Sequence, residues 1–152
     1  MNNIIITGAS RGIGFELVKL FSKAEYNVLA LSRNTSKIEE ENLSNVTSVS
    51  FDLLDSSAYS KVGTFISETW NGNVDYLINN AGCLINKPFH ETTIDDFDKV
   101  YRTNVYGVSE MIRTCIPYFS SKAHVVTISS MGGVQGSMKF PGLSAYSSSK
   151  GA

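Results

Sequence analysis

No run of apolar residues in this chain approaches the length of a membrane span, which argues against a transmembrane helix. Charge of one sign is equally scarce. Thirteen basic residues against 14 acidic ones leave a formal net charge of −1, with no basic block. Such a chain carries no electrostatic footprint for nucleic acid or for an acidic membrane surface, so neither is expected as a partner. There are only two cysteines and two histidines. Cys83 and Cys115 are isolated from any suggestive histidine, and His90 and His124 fall at no metal-ligand spacing. No metal is expected, and both cysteines read as reduced. A signal-peptide pattern is also missing, because a strand-like apolar run begins almost at Met1. That absence points to a cytoplasmic protein.

What the chain does have is 42% hydrophobic residues over 152 positions, enough for one domain with a core. Its organising stretch runs from Asn3 to Phe15. Ile4, Ile5 and Ile6 form a continuous β-branched run, as expected of a strand buried on both faces of a parallel sheet. A turn at Gly8 follows, and then Ile13, Leu17, Leu20, Phe21 and Ala24 recur at helical spacing. Strand, glycine turn and helix in that order aim the unpaired N–H groups of a helix N-terminus past the strand end, where a phosphate fits. Glycines let the backbone approach such an anion closely.

The spacing is G-x-x-x-G-x-G, with Thr7 leading. T-G-A-S-R-G-I-G resembles the cofactor loop of the short-chain dehydrogenase/reductase family, and the resemblance implies cofactor contacts from Gly8, Ser10, Arg11, Gly12, Ile13 and Gly14. Asn27 to Leu31 reads as a second strand. Near its end, NAD-preferring folds of this kind carry an acidic residue that binds the ribose hydroxyls and would repel a 2′-phosphate. Here Ser32 and then Arg33 stand instead. With Arg11 in the glycine loop, two guanidinium groups can flank a 2′-phosphate, so NADP(H) is favoured over NAD(H). The other reading leaves both arginines as solvated surface charge.

Thr35 to Asn42 is polar, a short helix or a loop. Val46 to Phe51 reads as the third strand, with Asp52 and Leu53 at its end. The resemblance implies that these two meet the adenine ring, the carboxylate accepting from the exocyclic amine; alternatively the carboxylate merely ends a strand. Asp55 or Ser56 is expected to cap a helix bearing Ala58, Val62, Phe65, Ile66 and Trp70, which Asn71-Gly72-Asn73 ends. Val74 to Ile78 is a fourth strand leading into Asn79-Asn80-Ala81-Gly82. N-N-A-G in that place is a second segment similar to the family, in which Asn79, Ala81 and Gly82 would lie along the cofactor. Cys83 to Glu91 reads as a loop flanking the site.

Thr93 starts a long helix, with Asp95 and Asp96 in its first turn. Phe97, Val100, Tyr101, Val105, Val108, Met111, Ile112 and Ile116 form its apolar stripe, and Pro117 marks its end. Asn104 sits inside that stripe. A buried amide needs a partner. A structural hydrogen bond would suffice, whereas the resemblance assigns the position to a catalytic asparagine that holds a water in a proton relay. His124 to Ile128 is the fifth strand, ending at Ser129 and Ser130, and Met131 to Ser144 reads as a loop bordering the substrate.

Tyr146 and Lys150 lie four residues apart, on one face of a helix and about one turn from each other. An ammonium there favours tyrosinate electrostatically, so the phenol can exchange protons near neutral pH, and it can also bind nicotinamide-ribose hydroxyls. A serine at the neighbouring strand end would stabilise the alkoxide-like charge that develops during hydride transfer. Y-x-x-x-K is weak alone, since Tyr118 and Lys122 match it too. That copy precedes the fifth strand and reads as ordinary helix-end residues. I-S-S-M-G-G matches the family's I-S-S-x-x-G pattern, in which the second serine is normally catalytic, so Ser130 is chosen over Ser129.

The resemblance spans five motif segments in order. It implies an α/β, Rossmann-like doubly wound parallel sheet, five strands in the order 3-2-1-4-5, with Ser130, Tyr146, Lys150 and Asn104 as the catalytic set. The implied enzyme interconverts a small-molecule carbonyl compound and an alcohol, and the full-length protein is expected to be a homo-oligomer. Family members are usually substantially longer. The expectation is therefore a domain over residues 1–152 that is incomplete at its C-terminus, with its later strands missing and its fifth strand at an open edge. Lys150, with two residues after it, is then expected to lack the helical turn that would hold its ammonium beside Tyr146. The rival function is a cofactor-binding fragment or sensor without turnover.

Overall fold

Ile4, Ile5 and Ile6 have no exposed surface, because both faces of their strand are covered. In the computed structural model, which describes residues 1–152, they lie in β1 (Asn3–Thr7) at the centre of a parallel sheet. β2 (Asn27–Ser32), β3 (Val46–Ser50), β4 (Val74–Asn79) and β5 (Phe119–Thr127) complete five strands in the order β3-β2-β1-β4-β5, as the sequence predicts. Alternate residues of β1 serve different layers. Ile4 and Ile6 pack with Phe15 and Val18 of α1 (Gly12–Lys23), whereas Ile5 packs with Val62 and Ile66 of α3 (Ala58–Thr69) and Met111 of α5 (Gly107–Cys115). The short α2 (Ser36–Glu40) adds Ile38 to the first layer.

The buried face of α1 differs from the expected stripe. Ile13 and Leu20 are 60% and 59% exposed, and Ala24 is exposed; the helix buries Gly14, Phe15, Val18 and Ser22 instead. The turn sets this rotation, because Gly14 lies directly against the Gly8 carbonyl. Neither Asp55 nor Ser56 caps α3 in the formal sense. Its N-cap is Ser57, which makes no capping bond, while the Asp55 carboxylate accepts from the Ser57 amide at 2.9 Å and hydroxyl at 2.7 Å. These bonds hold the Asp55 carboxyl below its usual range.

The long helix does start at Thr93, whose side chain and Asp96 form a reciprocal capping box. A hydrogen bond from Lys87 and another from the Thr93 amide hold the Asp96 carboxyl down to about 2. The helix is not uniform, however. α4 (Ile94–Tyr101) passes into a π-helical turn, Arg102–Tyr106, before α5 resumes the α-helical pattern. Asn104 lies inside this wider turn. β5 begins earlier than the apolar run suggests. Phe119 already pairs with Val74, and His124 pairs with Tyr76, so two steps on β4 are matched by five on β5. Tyr118 therefore ends a 3₁₀ turn and Lys122 lies in the strand; the pair shares no helix.

Finally, α6 (Ser144–Gly151) runs through Lys150, and the Ala152 amide donates to the Ser148 carbonyl at 3.0 Å. The turn expected to be missing is formed. β5 lies at the sheet edge, where Val125 is 40% exposed. No helix is long and apolar enough to cross a membrane.

Candidate active site

The glycine turn between β1 and α1 is held by the residues that leave the neighbouring strand, β4. The Thr7 hydroxyl accepts the amides of Asn80 and Ala81, each at 3.1 Å, and Asn80 Nδ2 donates to the carbonyls of Thr7 at 3.1 Å and Gly8 at 3.0 Å. A Cβ on Gly8, at φ +68°, would stand 2.7 Å from Ala81 Cα. The turn is thus sized for glycine by neighbouring backbone. Gly12 is different. At φ +56° a Cβ there would meet nothing within 4 Å, so open space lies in front of the turn. Arg11 is the N-cap of α1 but supplies no side-chain bond, and the first turn holds no acidic residue. Free helix-terminal N–H groups facing open space suit a diphosphate, and this donor set fits a dinucleotide.

Around that turn stand the other predicted contacts. Arg11 and Arg33 are both exposed and take part in none of the chain's ion pairs. The Ser32 hydroxyl donates to the Asn34 carbonyl at 2.7 Å and so belongs to the loop. Asp52 Oδ1 accepts the Leu54 amide at 3.0 Å, the bond of an Asx turn. Leu53 is a core residue first, packed against Gly107, where a Cβ would meet Leu53 Cβ at 2.9 Å. Asn79 is 2% exposed with both amide atoms unpartnered, whereas Asn80 makes the bonds to the turn. Asn80 was absent from the expected contacts. The pleat could have revealed it, since consecutive residues leaving β4 point opposite ways.

Beyond β1, α6 brings its residues to the ends of β4 and β5. Lys150 Nζ donates to the Ile128 carbonyl at 2.7 Å, lies 3.5 Å from where a Gly82 Cβ would stand, and is 5.9 Å from the centroid of the Tyr146 ring. Burial pushes this lysine below its ordinary range. The Tyr146 hydroxyl makes no hydrogen bond within the chain. Ser129 donates its hydroxyl to the Lys150 carbonyl at 2.9 Å and is thereby committed to holding the helix end. Ser130 Oγ accepts from the Gly132 amide at 3.1 Å, which leaves its proton free to donate.

Asn104 is buried with its amide donors fully engaged. Oδ1 accepts the Cys83 amide at 2.7 Å, and Nδ2 donates to the Cys83 carbonyl at 2.9 Å and to Ser149 Oγ at 2.8 Å. Ser149 in turn donates to the Tyr146 carbonyl at 2.7 Å. The structural hydrogen bonds therefore exist, and one Oδ1 lone pair remains. Ser149 was also missed, although its place three residues after Tyr146 sets it on the helix face turned toward Asn104. Cys115 is buried in the core, where desolvation pushes its thiol up to about 12, and Cys83 is free; neither pairs with the other. No cluster of potential metal ligands occurs.

The predicted residues thus fall into two groups at the C-terminal end of the sheet, one around the glycine turn and one where α6 meets the ends of β4 and β5. The family model for short chain dehydrogenases matches residues 2–152. Among curated proteins, the chain is 32% identical to dehydrogenase/reductase SDR family member 7B of Rattus norvegicus, covering 98% of this chain and 49% of that protein. It is 35% identical to a 3-ketodihydrosphingosine reductase of Bacteroides thetaiotaomicron, covering 97% and 52%. The crystal structure of a short-chain dehydrogenase from Streptomyces avermitilis superposes with a TM-score of 0.89 at 29% identity, over 99% of this chain and 56% of that one. An alcohol dehydrogenase from the archaeon Thermococcus sibiricus, complexed with 5-hydroxy-NADP, shares the fold with a TM-score of 0.89 at 22% identity, over 100% and 66%. The chain spans about half the length of these curated relatives. With its motifs, strand order and turn geometry in agreement with that match, this chain belongs to the short-chain dehydrogenase/reductase family.

Proposed function

We propose that the protein is an NADP(H)-dependent oxidoreductase that interconverts a carbonyl compound and an alcohol. The observation that carries this reading is the position of Lys150, whose ammonium stands where β4, β5 and Tyr146 meet. A bound nicotinamide cofactor would supply or accept the hydride. The residues of this chain do the rest. Gly8, Ser10, Gly12, Ile13 and Gly14, with the α1 N-terminus, hold the diphosphate. Asp52 and Leu53 would meet the adenine, and Asn79, Ala81 and Gly82 would lie along the cofactor, Gly82 on the Lys150 side. Ser130 Oγ donates to the substrate oxygen, Tyr146 exchanges the proton with that oxygen, and Lys150 favours the phenolate charge while its remaining N–H groups bind ribose hydroxyls. Asn104 ties Cys83 to the Tyr146 helix and keeps one acceptor position on Oδ1 for a relay water.

The cofactor preference rests on Arg11 and Arg33, two exposed guanidinium groups with no acidic partner, beside a Ser32 that carries no charge. NADPH should bind roughly tenfold more tightly than NADH, and Arg33→Ala should reduce that ratio to about two. Fluorescence titration of both cofactors checks it; equal affinities in the unmutated protein would remove the basis for the preference.

A second reading, cofactor binding without turnover, draws on the exposed edge of β5 and on a cavity of about 740 Å³ rimmed by exposed Phe89 and Phe140, which Ser130, Tyr146 and Lys150 do not line. Measuring NADPH binding separately from NADPH oxidation against a carbonyl panel separates the two. Binding with no oxidation of any member of the panel would favour the second.

A further inference from the structure

The segment after β5 closes on itself around one ammonium group. Lys139 Nζ donates to the Gly132 carbonyl at 2.9 Å, the Val134 carbonyl at 2.6 Å and Ser137 Oγ at 2.9 Å. The single proton of Ser137 Oγ has two carbonyl acceptors within reach, Met131 at 2.6 Å and Val134 at 2.8 Å. Three oxygens at hydrogen-bond distance satisfy all three N–H groups of an ammonium. They come from one short stretch, so the lysine fixes the shape of that stretch rather than linking it to a distant element.

That stretch begins at Ser130. The Gly132 amide donates to Ser130 Oγ, and the Gly133 amide to the Ser130 carbonyl at 2.9 Å. The peptide units around Gly132 are therefore gripped from two directions: the carbonyl by Lys139 and the amide by the serine. The turn is also seated on the active-site helix. A Cβ on Gly133 would stand 2.5 Å from the Lys150 carbonyl carbon, and one on Gly132 would stand 2.8 Å from Ser147 Oγ. A shift of Gly132 thus moves the hydroxyl of Ser130 relative to Tyr146 and Lys150.

We infer that Lys139 is a positioning residue, which fixes the Ser130 hydroxyl through the Gly132 peptide. The inference rests on the assignment of Ser130 to the reaction made above, but it has a readout of its own. Lys139 is exposed and outside the core, so its replacement leaves the fold in place.

The test is amide hydrogen exchange by NMR. Lys139→Ala should speed exchange at Gly132 and Gly133 roughly tenfold while leaving Ile5 unchanged. Ethylammonium chloride, which can refill the three-oxygen cage, should slow it again, and sodium chloride at equal ionic strength should not. Ser137→Ala, which removes one acceptor and leaves the ammonium, should give a smaller acceleration at the same amides. In carbonyl reduction, Lys139→Ala should lower kcat about tenfold with Ser130 present and have no further effect in a Ser130→Ala background. Unchanged exchange at Gly132 in Lys139→Ala overturns the inference, whatever the turnover. Faster exchange at Gly132 together with full turnover by Ser130→Ala upholds the clasp and overturns the role of Ser130 in the reaction.

Discussion

Tyr146→Phe is expected to lower kcat for carbonyl reduction by roughly a thousandfold, while the Kd for NADPH stays within about threefold. The substitution removes only a hydroxyl that makes no hydrogen bond in the chain, so the fold loses nothing with it. The aromatic ring stays beside Lys150, whose Nζ lies 5.9 Å from its centroid and remains available to ribose hydroxyls. What disappears is the proton that must reach the carbonyl oxygen. Tyr118→Phe serves as the control, because Tyr118 ends a 3₁₀ turn and its sequence partner Lys122 lies in a strand. Single-turnover oxidation of NADPH reads the chemical step directly. Full activity in Tyr146→Phe would assign proton transfer to another group and dissolve the proposed set.

Gly14→Ala should abolish NADPH binding at accessible concentrations and destabilise the fold by about 3 kcal/mol, the upper range for forced overpacking. A methyl group there has nowhere to go. It would overlap the Gly8 carbonyl and stand 2.5 Å from Asn80 Nδ2, so both the turn and the amide that holds it must shift. The obstacle is backbone on one side and a committed side chain on the other. Gly12→Ala makes the contrast: its Cβ meets nothing, and only the positive φ resists it, at about 1 kcal/mol. Urea unfolding and fluorescence titration on the two variants check the ordering. Equal stability losses would show that packing against Gly8 does not govern the turn.

The sheet was legible because its signal is redundant. A buried parallel strand reads as a solid apolar run, and Ile4 to Ile6, Val28 to Leu31 and Leu77 to Ile78 leave no other reading once glycines and asparagines bound them. Helix faces were harder. The rotation of α1 follows from one backbone contact, Gly14 on Gly8, which carries no periodic signature, and so Ile13 and Leu20 were wrongly turned inward. The π-helical turn at Asn104 carries no periodic signature either, and the Cys83 backbone that its side chain grips lies 21 residues away. At the site, residue types and order were readable, whereas the choice between neighbours was not. Sequence alone leaves Ser129 against Ser130 to analogy, and it names Asn79 without pointing to Asn80. Geometry shows that Ser129 and Asn80 hold backbone, while Ser130 keeps a free proton.

The clasp of Thr7 and Asn80 also bears on time. It joins positions 73 residues apart, so the glycine turn takes its final shape only after β4 has come to lie against β1. Closing so long a loop costs entropy that no local contact offsets in advance. A chain growing from its N-terminus holds the whole of β1, α1, β2 and β3 before the residues that set its glycine turn exist. On the proposed function, cofactor competence would be acquired late, as a property of the assembled sheet rather than of the motif. In stopped-flow refolding, NADPH binding should lag behind the recovery of helical circular dichroism, and simultaneous recovery of the two would place the clasp early.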